Sequence, residues 1–92
     1  MPEEVVIPSA VATVLFAGVA PAAAVHLMAA ALGSPHDVSG AAYLPAGNNL
    51  PGVSSATVAL RIEGPAPSVA FRRDSLVEEH RAAGTSDTLA HG

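Results

Sequence analysis

The sequence predicts an α+β fold, an antiparallel sheet with two helices on one face, and three features carry that expectation. Residues 11–17 form a short run of β-branched and aromatic side chains that ends at Gly18. Residues 57–63 alternate, with Val58, Leu60 and Ile62 set between Thr57, Ala59, Arg61 and Glu63, before Gly64 and Pro65 break the pattern. Each strand is followed by a proline and a run of residues able to form a helix, so two strand-then-helix halves share one chain.

In chain order, residues 5–7 are β-prone but are cut off by Pro8, which makes them an edge strand or an extended linker, with the linker favoured. Val11, Thr13, Val14 and Phe16 then suit a first strand covered on both faces. Pro21 fits the first turn of a helix, where its missing N–H costs nothing, and residues 22–32 are strong helix formers. Val25, Met28, Ala29 and Leu32 are spaced as a buried stripe, Gly33 and Pro35 supply the stop, and His26 falls outside the stripe. Residues 37–44 alternate, with Val38, Gly40, Ala42 and Leu44 on one face and Ser39, Ala41 and Tyr43 on the other. Residues 45–55 are rich in Pro, Gly, Asn and Ser and read as a long hairpin loop.

The cleanest strand follows, with Val58, Leu60 and Ile62 on one side and Thr57, Ala59, Arg61 and Glu63 on the other. Pro67 starts a second helix whose apolar side is Val69, Leu76 and Val77, with an end expected near Arg81. This order, βαββα, is most of a ferredoxin-like antiparallel unit that lacks only its last strand. Residues 82–92 are small and polar and read as a flexible tail beyond a domain of residues 1–81. The last strand is therefore expected to be missing or supplied by a partner, leaving an unpaired edge beside strand one that invites a homodimer.

Composition excludes several functions. The chain has 92 residues, four basic side chains, all arginine, against eight carboxylates, and a net charge of -4. That balance offers no footprint for a phosphate backbone, so nucleic acid is not an expected partner. With no cysteine, thiolate metal sites, disulfides and thiol nucleophiles are all absent. Residues 10–32 carry no charge over a length that could span a bilayer, but Gly18 and Pro21 interrupt the run, His26 lies within it, and no flanking cation sets an orientation, so no membrane span is expected. Glu3 and Glu4 stand where a signal peptide needs basic residues. A cytoplasmic location is the default, peripheral at the inner membrane if partner subunits bring the chain there.

No GxGxxG, P-loop or HExxH is present, and Asp37-Val38-Ser39-Gly40 lacks the first glycine of a nucleophile elbow. His26, His36, His80 and His91 have no ligand spacing, so exposed or capping roles are expected. Arg61, Arg72 and Arg73 could grip an anion as planar forks, or could serve structure or an interface, which is the favoured reading.

Four segments in order carry a family resemblance: Ala31-Leu32-Gly33-Ser34-Pro35, the run from Asp37 to Pro45, Leu60-Arg61-Ile62-Glu63-Gly64, and Ser68-Val69-Ala70-Phe71-Arg72. Together they resemble the C-terminal half of the FAD-binding component of bacterial glycolate oxidase, over roughly residues 5–79. The resemblance implies a cap or substrate-side domain of an FAD-linked oxidase that converts 2-hydroxy acids to 2-oxo acids. It implies that FAD belongs to the parent enzyme and that this chain alone binds no cofactor and is inactive. A flavin-binding domain and other oxidase subunits become the implied partners, with Arg61, Glu63, Gly64, Ser68 and Arg72 as candidate inter-domain contacts. The alternative is a free-standing ferredoxin-like interaction or dimerisation module without catalytic activity.

Overall fold

The computed structural model describes residues 9–47, 55–81 and 85–90. The chain runs β1 (Ser9–Ala17), α1 (Pro21–Leu32), β2 (Gly40–Leu44), β3 (Thr57–Pro65), α2 (Ala66–His80) and β4 (Thr85–Ala90). The strands form one antiparallel sheet in the spatial order β2-β3-β1-β4. Residues 5–7 and most of the expected hairpin loop lie outside the described residues.

Alternation decides the core. The register sets Ala12 opposite Ile62, Val14 opposite Leu60 and Phe16 opposite Val58, and all six are buried. Ala41 and Tyr43 of β2 extend this row at its margin. Ala24, Leu27 and Ala31 of α1 and Val69 and Leu76 of α2 complete the same cluster, so both helices lie on one side of the sheet. Cross-strand pairs of this kind are the unit of sheet stability, and each large buried side chain contributes about 1.5–3 kcal/mol of transfer free energy. Gly18, at φ 74, turns the chain out of β1, and its N–H and that of Val19 both donate to the Ala56 carbonyl, at 2.8 and 3.1 Å.

Four expectations need correction. The last strand is present: β4 pairs with β1 from Ala17–Thr85 to Ala12–Ala90, so residues 85–90 are sheet, and the edge beside β1 is covered by the chain itself. Its polar sequence hid it, since an edge strand is held largely by main-chain hydrogen bonds and tolerates polar side chains. Secondly, among the described residues β1 is covered by helices on one face only, with Val11, Thr13, Leu15 and Ala17 half-buried on the other. Thirdly, the α1 stripe is turned by about one residue: Val25 and Leu32 are 63% and 55% exposed, whereas Ala24, Leu27 and Ala31 are buried. Lastly, β2 begins at Gly40, because Asp37 adopts φ 53, in the left-handed region.

Among the described residues, no helix is long and apolar enough to cross a membrane.

Candidate functional site

Four of the five candidate contact residues converge where β3 hands over to α2. Gly64, the penultimate residue of β3 and the partner of Ala10 in the ladder, has φ +146, a backbone that L side chains rarely adopt. Ser68 lies in the first turn of α2, and Arg72 lies one turn on, where i and i+4 share a face. The Arg72 Nε donates to both the Oγ and the carbonyl oxygen of Ser68, at 3.1 and 3.3 Å. Its Nη1 donates to the carbonyls of His36 and Asp37, at 3.0 and 3.3 Å, and its Nη2 to the carbonyl of Glu63, at 2.9 Å. One planar cation thus joins the α1–β2 connection, the end of β3 and the start of α2.

A second tie runs parallel to it. Ser34 Oγ donates to the Ala31 carbonyl at the end of α1, at 2.6 Å, and accepts from the His36 N–H at 3.3 Å. The His36 ring is buried, and its Nε2 sits 3.0 Å from both carboxylate oxygens of Glu79 near the end of α2. The expected exposed or capping role for His36 is therefore wrong in its exposure. Nothing local in the sequence pointed to Glu79, which is 43 residues away.

These contacts decide what the arginines can do. Each nitrogen of Arg72 already serves a protein acceptor, so the guanidinium presents no free fork to a carboxylate or phosphate. Gly64 offers no phosphate cradle either, since a Cβ there would lie 2.8 Å from Arg72 Nη2 and the space is filled by the protein's own side chain. These residues do not fit a flavin phosphate. Arg73 pairs with its neighbour Asp74 at 2.9 Å, and Arg81 with Glu78 at 3.4 Å on the outer side of α2. Arg61 stands apart from the node, on the sheet face away from the helices, paired loosely with Glu63 at 3.5 Å.

The other histidines divide. His26 is exposed, as expected from its place off the stripe, and His91 lies outside the described residues. His80 occupies the last turn of α2, but its ring turns inward, edge-on to Phe16 with centroids 6.2 Å apart, and its Nε2 is buried without a hydrogen-bond partner. It borders a shallow cleft between the helices, with Ala23, His26, Leu27 and Ala30. Among the described residues, no group of three or more His, Asp or Glu side chains is arranged to hold a metal. Comparison of the chain with protein-family models, curated proteins and solved structures returns no match.

Proposed function

We propose that this chain is a docking domain, the cap or substrate-side unit of an FAD-linked 2-hydroxy-acid oxidase of the glycolate type. In this reading a separate flavin-binding domain holds FAD and accepts the hydride. The observation that carries the docking role is the face of the sheet that no described element covers. Ala42, Ala59 and Leu15 stand in one row across β2, β3 and β1, with Val11 and Leu44 on the same face. Ala42 and Ala59 let another backbone approach closely between the larger Val11, Leu15 and Leu44, and Arg61 and Glu63 supply a polar border of the kind that surrounds interface cores.

The strand order β2-β3-β1-β4, with a helix between β1 and β2 and another between β3 and β4, supports reading the fold as ferredoxin-like. The identity of the partner rests on the sequence resemblance over residues 31–45, 60–64 and 68–72. The Arg72 node holds the docking face in shape, and catalysis belongs to the partner.

The test has two arms. In titration calorimetry the purified chain is expected to give no heat with FAD, and tight binding would overturn the division of labour. In a pull-down, the flavin-binding domain of a glycolate-type oxidase is expected to retain the chain, with Ala59→Arg reducing retention at least tenfold. Absence of retention by the unmodified chain would reject the cap reading.

A further inference from the structure

The exterior of α1 contrasts with that of the other helix. It carries no charged residue along its 12 positions, in a chain whose net charge is -4. The outer side of α2 carries Arg73, Asp74, Glu78 and Arg81 in ion pairs around a single exposed aromatic, Phe71, where α1 has an apolar stripe without charge. The one polar side chain of α1 is the exposed His26, and the other eleven positions are apolar, a composition normally covered on more than one side. Only one side of α1 is covered by the sheet and α2. Opposite the buried Ala24, Leu27 and Ala31 lie Ala22, Val25, Ala29 and Leu32, all exposed.

We propose that this stripe is a homodimer interface, in which α1 packs antiparallel against α1 of a second copy across a two-fold axis. This inference is independent of the cap reading. Two properties of the stripe argue for a second copy. The first is shape. A two-fold axis through the middle of α1, near Leu27, sets Ala22 opposite Leu32 and Val25 opposite Ala29, so every large side chain meets a small one. Such an isologous contact uses one patch twice, and it requires this self-complementarity. Small residues at alternate positions also permit an interaxial distance of about 8 Å, the close end of the helix-packing range.

The second is charge. Two acidic copies repel each other, and the outer stripe of α1 is a surface on which they meet without bringing carboxylates together or stripping water from them. The area then sets the strength. A 12-residue helix is about 18 Å long, and four side chains along it, two of them alanine, bury less than the roughly 1,200 Å² at which stable interfaces begin, which places the contact among weak, transient ones. The dimer is therefore reversible and concentration-dependent.

Sedimentation equilibrium over micromolar to millimolar protein tests this. The weight-average mass is expected to rise from 9.1 kDa toward twice that value. Because the contact is apolar, the rise is expected to persist in about 0.5 M salt, where surface charges are screened. Val25→Glu with Leu32→Glu is expected to hold the chain monomeric with an unchanged circular dichroism spectrum. A size-swap series guards against a folding defect. Ala29→Leu alone sets Leu against Val25 and is expected to weaken association at least tenfold. Adding Val25→Ala sets Ala against that leucine and is expected to restore it. A chain that stays monomeric throughout, or that dimerises equally in the double glutamate variant, overturns the proposal. So does a swap series in which Val25→Ala with Ala29→Leu associates no better than Ala29→Leu.

Discussion

At Gly64 the volume that a Cβ would fill is already taken by Nη2 of Arg72, 2.8 Å away, and the φ of +146 is strained for any other residue. Gly64→Ala therefore carries two penalties, backbone strain of about 1–3 kcal/mol and displacement of a guanidinium that serves several carbonyls. Arg72→Ala incurs the second alone, leaving the carbonyls of His36, Asp37 and Glu63 without that donor, at a cost of about 2 kcal/mol. In the double variant the clash is gone, so only the strain adds to the loss of the arginine. Urea denaturation of the two single variants and the double is expected to give a sum of single losses that exceeds the double loss by about 1 kcal/mol or more. Strict additivity would show that Arg72 and Gly64 do not share the space.

At the scale of elements, α1 separates what periodicity tells from what packing decides. The spacing of Val25, Met28, Ala29 and Leu32 marks an apolar stripe, but almost every position of α1 is apolar, and a helix without a polar face has no phase of its own. The sheet chose the face, turning Ala24, Leu27 and Ala31 inward, where small side chains let the helix sit close. In β3 the alternation with Arg61 and Glu63 fixed the phase, and Val58, Leu60 and Ile62 lie inside as their spacing predicts. The Arg72 node was legible only as a cluster of candidate residues, since its acceptors are main-chain carbonyls up to 36 residues away. The element-scale prediction follows from the rotated face. At concentrations where the chain is monomeric, Leu27→Ala, at a site 4% exposed, is expected to cost about 2–4 kcal/mol. Val25→Ala, at a site 63% exposed, is expected to change stability by less than about 0.5 kcal/mol. Thermal or urea unfolding checks both, and equal losses at the two sites would return α1 to the phase its spacing suggests.

For the whole molecule, the decisive element is β4, because it turns β1 from an edge into an interior strand. Without it β1 would present the main chain of residues 12–17 unpaired on that side, with Val14, Leu15 and Phe16 along it. Its role is thus protective as well as structural, and it makes a strand from a partner unnecessary at that edge. Truncation after Arg81 removes β4 while leaving the buried cluster of β1, β3 and the two helices untouched in sequence. If β4 acts through its main-chain pairing, the truncated chain is expected to fold with lower stability and to scatter light at concentrations where the full chain stays clear. Hydrogen exchange gives the sharper reading. In an antiparallel sheet, successive amides of an interior strand point alternately to its two neighbours. Over residues 12–17, the segment in register with β4, truncation is expected to remove protection from alternate amides and to leave those directed at β3 slow. Uniform loss along β1 would mean that the sheet needs β4 in order to form at all. Unchanged protection would mean that the pairing of Thr85–Ala90 with β1 contributes nothing to the closure of the sheet.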